Sequence, residues 1–166
     1  FSIGPIVSLQ NNKNWYVEAR YNYEEVKTLS LYVGKVFSGV GELSYAIIPI
    51  FGGVVGRYKR GSVGLNIDLE YKDFFFSSQS QFTFSPKAEI DNFFYSWSEL
   101  GYQPLPWFYT GVAIQPVYYP TKGNNSLSPG PMMGFAFGLW SFPMYAFNPF
   151  NKDRAFVFCI IKTWGQ

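Results

Sequence analysis

The residues best suited to acid–base chemistry in this sequence are two groups of carboxylates. Glu18 and Glu24 flank Arg20 at even spacing, and Asp68 and Glu70 are two residues apart. Because alternate residues of a β-strand point to the same side, each group would share one face of a strand. Such a pair could supply a general acid and a general base. We expect instead an enclosed network of ion pairs and hydrogen bonds, since buried charges must be compensated.

No other catalytic device is complete. Histidine is absent from the 166 residues and Cys159 is the only cysteine, so counting excludes an intramolecular disulfide and a cysteine–histidine zinc site. A serine–lysine pair would need Lys35 or Lys162, and neither lies in a recognisable motif. Cys159 stands in the run FVFCII, where we expect a small buried or lipid-facing hydrophobic residue. We predict that the protein is not an enzyme and holds no cofactor or metal ion.

The composition narrows the class of protein further. Aromatic residues make up 22% of the sequence and charged residues only 14%, against about 25% charged in an average protein. This is not the composition of a disordered chain, and a net charge of +2 gives no field that would attract nucleic acid. We expect one domain over residues 1–166. The sequence starts at Phe1 without a secretion signal, so we expect a mature or partial chain.

The apolar residues follow a period of two. No run reaches the roughly 18 consecutive apolar residues of a transmembrane helix, and the most apolar stretch, 46–56, is interrupted by Pro49 and by glycines. Residues 15–24 (WYVEARYNYE) and 63–72 instead alternate between apolar and polar, as expected of strands with one apolar side. No segment has the helical period of 3.6, so the sequence predicts an all-β fold.

About ten strands are predicted, or eight if the first segment is a tail and two others merge. The ten segments are 3–9, 15–24, 27–37, 42–51, 63–72, 74–84, 93–102, 107–119, 132–142 and 155–164. The polar run 120–131 is expected to be a long connection. Pro49, Pro116 and Pro143 lack the N–H that a sheet requires, so we expect them at strand ends, bulges or imperfectly paired positions.

The two rows of each strand suit a barrel in lipid, with apolar rows outside and polar rows filling the lumen. A water-facing exterior cannot be built from these segments, since several have almost no charge on either face. The predicted lumen residues are Glu18, Arg20, Asn22, Glu24, Asn66, Asp68, Glu70, Gln79 and Gln81. Aromatic residues near strand ends are expected at the two membrane interfaces, namely Trp15, Tyr16, Tyr23, Tyr71, Phe74, Phe76, Trp107, Tyr109, Tyr118 and Tyr119. The predicted architecture is a closed antiparallel up-and-down transmembrane β-barrel.

These patterns carry a resemblance at the level of a class. With segments such as WYVEARYNYE, VGLNIDLEY, FFFSSQSQF and SWSELGYQP, the sequence resembles small outer-membrane β-barrels of Gram-negative bacteria over essentially its whole length. The resemblance implies a location in the cell outer membrane and contact with outer-membrane lipids. Known barrel enzymes of this class, such as lipid A deacylases, phospholipases and omptin-type proteases, depend on a histidine that this chain lacks.

Three functions are compatible with the sequence. The leading hypothesis is a non-enzymatic structural or accessory subunit, docked through its aromatic surface beside a larger outer-membrane protein complex. The second is a narrow pore for ions or small solutes, lined by the predicted lumen residues. The third is a soluble lipocalin-like barrel, in which the aromatic rows would point inward and bind an apolar ligand.

Overall fold

The computed structural model describes residues 3–23, 27–56, 59–85, 92–120, 123 and 125–164. Within these ranges the regular structure consists of strands, and no helix is long and apolar enough to cross a membrane. The strands are β1 (Ile6–Gln10), β2 (Trp15–Tyr21), β3 (Thr28–Lys35), β4 (Phe37–Gly39), β5 (Leu43–Gly56), β6 (Arg60–Tyr71), β7 (Phe74–Phe84), β8 (Phe93–Leu105), β9 (Phe108–Tyr118), β10 (Ser126–Phe137), β11 (Trp140–Phe147), β12 (Ala155–Phe158) and β13 (Ile161–Lys162). The all-β prediction is confirmed.

All strands belong to one antiparallel sheet, in which most strands pair with the strand before them and the strand after them in the chain. The order is β1-β2-β3-β5-β6-β7-β8-β9-β10-β11-β12, with β4 also on β5 and β13 also on β11. Among the described residues β1 pairs with β2 alone, while β12 and β13 pair with β11 alone. β1 on one side of the sheet and β12 with β13 on the other therefore have an unpaired edge. The closed wall predicted from the sequence is not formed by these pairings.

The prediction of about ten strands is wrong. One extra strand arises because the predicted segment 132–142 is divided by the turn at 138–139 into β10 and β11. The other two arise because prolines divide two strands that keep one register. β3 and β4 continue the same alignment against β5, with Gly34 opposite Ile50 and Phe37 opposite Ile47. The ladder is interrupted between them, beside Pro49, which has no N–H to donate. Pro143 of β11 divides β12 from β13 in the same way. The 13 strands therefore occupy eleven positions across the sheet.

The expected long connection over 120–131 is also wrong, since β10 begins at Ser126. Its first half pairs fully with β9, where Ser126 lies opposite Val117 and Pro131 opposite Val112. Its ladder with β11 begins only at Met132. Prolines are tolerated where a strand needs hydrogen bonds on one side only, which explains how a Ser, Pro and Gly-rich segment becomes a strand.

Non-neighbouring strands meet on one face of the sheet, so the sheet curls around that face. The Arg20 guanidinium on β2 donates to the Gln81 side chain on β7 at 2.7 Å. The Tyr145 hydroxyl on β11 donates to the Glu99 carboxylate on β8 at 2.8 Å. We call the enclosed side the concave face and the opposite side the convex face.

The concave face contains two small apolar clusters that fill opposite parts of the curl. The first consists of Tyr16, Tyr32, Val36, Ile48 and Ile50, and the second of Tyr109, Ala113, Met132, Tyr145 and Phe147. Cys159 is half-buried and packs against the second cluster. These clusters fill part of the interior with side chains.

The two ends of the sheet differ in the length of their connections. At the short-turn end, strands are joined through residues 11–14, 40–42, 72–73, 106–107 and 138–139, and at the loop end through 22–27, 57–59, 85–92, 119–125 and 148–154. Lys72 and Gly138 have positive φ angles of 55° and 58°. This backbone conformation suits two-residue turns, because it matches the twist of the strands that they join.

Candidate functional site

The convex face is the most extensive chemical feature of the molecule. It is formed by the odd-numbered residues of β2, β3, β5 and β6 and by the residues of the other strands that point to the same side of the sheet. Many are large and apolar, and Leu31, Phe51 and Val112 are more than half exposed. Contiguous exposed apolar surface of this extent marks contact with a membrane or another protein.

Only two charged side chains of the described strands lie on the convex face, and both stand beside tryptophans at the short-turn end. Lys35 is opposite Trp15 and its ammonium lies 5.2 Å from the centre of that indole ring. Lys162 is opposite Trp140, with its ammonium 4.9 Å from that ring. Lysine and tryptophan are the residues that anchor membrane proteins at the headgroup level.

Other aromatic side chains continue this band along the same end of the convex face. Phe74 and Tyr102 are in contact, with ring centres 5.0 Å apart, and Trp107 in the next turn is stacked on Phe135 at 6.3 Å. Of the aromatic residues expected at a membrane interface, those in this band are Trp15, Tyr71, Phe74, Phe76 and Trp107, while Tyr118 lies at the loop end.

Four tyrosines from the expected interface set lie instead on the concave side. Tyr16 belongs to the first apolar cluster, Tyr109 belongs to the second, and the ring of Tyr23 contacts that of Tyr95 at 5.7 Å. Tyr119 contacts Phe93, also from the concave row, at 5.8 Å. The physical reason is the strand period of two, which sends adjacent aromatic residues to opposite faces.

One polar group interrupts the apolar convex face. Ser78 and Ser80 on β7 lie opposite Ser98 and Ser96 on β8, and the four hydroxyls are joined by hydrogen bonds of 2.8 to 3.2 Å. Each hydroxyl therefore has a partner within the group. Polar side chains that satisfy one another can face an apolar environment without a large desolvation cost.

The concave face of β2 holds a buried ion pair. The Arg20 guanidinium and the Glu18 carboxylate lie 2.7 Å apart, and both side chains are about 1% to 2% exposed. The Tyr16 hydroxyl donates to the second Glu18 oxygen at 2.6 Å. Arg20 also donates to Gln81 on the far wall and lies 4.8 Å from the ring centres of Tyr23 and Tyr32. The group thereby connects β2 and β3 with β7 across the interior.

A second polar group, centred on Glu99, was not among the residues predicted from the sequence. Its carboxylate accepts hydrogen bonds from Trp97 Nε1 at 2.5 Å and from the Tyr145 hydroxyl at 2.8 Å. Nearby, the hydroxyls of Tyr109 and Ser141 are 2.8 Å apart. The alternation of Trp97 and Glu99 in SWSELGY is the only local signal, since Tyr145 is 46 residues away.

A cavity of about 660 Å³ lies at the short-turn end of the concave face. It is lined by a single lysine, Lys72, and by four carboxylates, which belong to Asp68, Glu70, Asp73 and Glu99. Asp68 accepts a hydrogen bond from Ser77 at 2.7 Å. Within the described part of the chain, no group of three or more potential ligands is placed to hold a metal ion. The excess negative charge of these side chains can attract cations to the cavity, which we call the acidic mouth.

The remaining predicted lumen residues have different surroundings. Asn66 is buried, and its Oδ1 is without a hydrogen-bond partner among the described residues. Gln79 accepts from the Tyr23 hydroxyl at 3.3 Å. Asn22 is at the loop end, where its side chain holds the backbone of Ile3 and Lys27. Glu24 lies outside the described residues.

The interior thus separates into the ion pair of β2 and the acidic mouth. Comparisons of the chain with protein-family models, with curated proteins and with solved structures find no match.

Proposed function

We propose that this chain is a non-enzymatic β-barrel protein of the outer-membrane class, which spans the membrane and acts as a structural or accessory subunit of a larger outer-membrane complex. The observation that carries the proposal is the convex face. Among the described residues, its strands carry no charged side chain away from the short-turn end, and the two lysines at that end stand beside tryptophans. An exterior of this kind is stable in lipid and unfavourable in water.

A closed wall is part of the proposal. Backbone N–H and C=O groups have no partner in hydrocarbon, so a membrane-spanning sheet cannot retain open edges. The curl of the sheet and the contacts between β2 and β7 support a cylinder whose lumen is filled by side chains. An interior closed by the Glu18–Arg20 pair and by Trp97 suits a structural role.

The accessory role is inferred from the breadth of the apolar and aromatic surface. Lipid alone can cover such a surface, but flat rings also provide rigid contact area for a neighbouring membrane protein. Gentle detergent extraction of a membrane containing the tagged protein, followed by mass spectrometry, tests this role. We expect a larger barrel or lipoprotein at stoichiometric yield, and a lone monomer would exclude the subunit role.

The acidic mouth favours a narrow cation pore as the second candidate. Asp68, Glu70 and Glu99 would concentrate cations at the short-turn end. Planar-bilayer recordings distinguish the two candidates, since a filled lumen gives no discrete conductance and a pore gives steps that depend on these carboxylates. The soluble lipocalin-like alternative has less support, because large apolar side chains such as Leu31, Phe51 and Val112 would have to line the concave face, whereas they lie exposed on the convex face.

Quenching of tryptophan fluorescence by brominated lipids tests the membrane location directly. In a variant that keeps only Trp140, a convex residue 43% exposed, we expect strong quenching after folding into vesicles. A variant that keeps only Trp97, which contacts Tyr145 and Phe147 on the concave side, is the matched control and should be quenched far less. Recovery of the folded chain in the aqueous fraction would refute the proposal.

A further inference from the structure

The directions of the two edge strands restrict how the sheet can close. Starting from β1, ten successive antiparallel pairings lead to β12. β1 therefore runs in the same direction as β12, and β13 continues β12 on the same partner. Direct pairing of these edges would be parallel, whereas closed single-chain barrels of bacterial outer membranes have even numbers of antiparallel strands.

A second copy of the chain does not remove this restriction. Two copies inserted into one membrane share one orientation, so their exposed edges run in the same direction as well. The edge of β2 is different, because β2 runs opposite to β12 and β13. β1 currently occupies the free edge of β2, and once that edge is released β2 could pair antiparallel with both β12 and β13.

β1 is held by little besides its backbone pairing. All five of its residues, Ile6–Gln10, are exposed, including Val7 at 56% and Leu9 at 68%. It contributes to neither apolar cluster. By contrast, β2 has seven residues and β12 with β13 span positions 155–162. Pairing these strands would satisfy more backbone groups than the five-residue ladder that β1 makes.

We propose that in the membrane-embedded protein β1 does not occupy the edge of β2, and that β2 pairs there antiparallel with β12 and β13. The strands of the described residues would then occupy ten positions of the wall, without β1. This inference rests on the proposed membrane function, because only lipid makes the open edges costly. The displaced strand would reach water, which can satisfy its N–H and C=O groups, and both ends of the wall would lie at the short-turn end.

Disulfide crosslinking in lipid vesicles tests the exchange. In a Cys159→Ser background, Val17→Cys on β2 is combined in turn with Phe156→Cys, Phe158→Cys and Ile160→Cys, which continue the convex row of the other edge. A disulfide requires Cβ atoms about 4 Å apart, so only paired strands can form it in high yield. We expect one of these pairs to crosslink in most folded chains after oxidation.

The reference pair is Val7→Cys with Ala19→Cys, which lie directly opposite each other on β1 and β2. We expect it to crosslink poorly in folded chains in vesicles, because β1 does not lie on β2 there. Quantitative crosslinking of this pair in vesicles, with none between β2 and β12 or β13, would overturn the inference. So would high-yield crosslinking of Leu9→Cys with Phe158→Cys, which reports parallel closure through β1.

Removal of residues 1–10 provides a second measurement that does not depend on cysteine chemistry. The shortened chain should insert into vesicles and resist protease as well as the full chain does. Loss of protease resistance would overturn the exchange. Bromolipid quenching of the same samples keeps the two proposals distinguishable: a full chain that is not quenched refutes the membrane function, whereas a quenched chain with β1 still on β2 refutes only the exchange.

Discussion

Removal of the Glu18 charge tests the interior most directly. Glu18 and Arg20 form the buried ion pair, and Tyr16 and Gln81 complete its hydrogen bonds at 2.6 and 2.7 Å. Glu18→Gln keeps the size of the side chain and an oxygen that can still accept from Tyr16. It removes the negative charge that compensates a guanidinium enclosed between β2 and β7.

The expected magnitude follows from the burial of both partners. Loss of one member of a buried pair costs about 3 to 5 kcal/mol, because the other charge remains desolvated. We expect Glu18→Gln to reach the lower part of this range, since Arg20 keeps its bond to Gln81 and its position between two tyrosine rings. The double change Glu18→Gln with Arg20→Met should be less destabilising than Glu18→Gln alone, because it removes both charges.

The assay is urea unfolding in lipid vesicles, followed by tryptophan fluorescence, with reversibility checked from the unfolded side. Asp68→Asn is the matched control, because it makes the same carboxylate-to-amide change on the concave face at an exposed side chain whose bond is to Ser77. It should cost less than about 1 kcal/mol. Equal costs for the two single variants, or a double variant less stable than Glu18→Gln, would refute the reasoning.

Three further changes test the faces of the sheet, all by urea unfolding in vesicles. Leu65→Arg, at the middle of the convex row of β6, should cost about 2 to 4 kcal/mol, while Tyr71→Arg at the end of that row should cost about 0 to 1; equal costs would contradict a lipid-facing row. Gly111→Ala should cost about 1 to 3 kcal/mol, since its Cβ would meet a carbonyl oxygen of the next strand at 2.1 Å, and Gly41→Ala, with no atom nearer than 3.8 Å, should be close to neutral. Tyr145→Phe, which removes a 2.8 Å hydrogen bond to a carboxylate, should cost about 1.5 to 3 kcal/mol, and an unchanged unfolding midpoint would show that this bond contributes nothing.

Local patterns were sufficient for the all-β class and for the two faces of strands such as β2. The alternation in WYVEARYNYE predicts that Glu18 and Arg20 share the side opposite to Val17, and the structure places them there. The interruptions at Pro49 and Pro143 were expected for the same local reason, the missing N–H. These features depend only on residues one or two positions apart along the chain, which is why they can be read without the fold.

Features that depend on the partner strand were not predictable in this way. β10 resembles a loop in its composition, and it becomes a strand because β9 offers a complete ladder to its first half. The predicted number of strands was wrong because it depends on which hydrogen bonds of the partner strand a proline interrupts, and because the turn at 138–139 divides the predicted segment 132–142 into β10 and β11. Glu99 was overlooked because its partner Tyr145 comes from another strand.

The sequence alone therefore determined that the chain forms strands, that segments such as 15–24 and 63–72 have an apolar and a polar row, and that histidine-dependent and thiol-pair chemistry are excluded. Only the tertiary structure decided which polar residues meet. Glu18 and Arg20 are neighbours by the strand period, but Gln81 joins them from 61 positions away because the sheet curls. The same curl gathers the four carboxylates into one mouth. β1 and β12 run in the same direction because ten antiparallel pairings separate them, and this number is a property of the whole sheet.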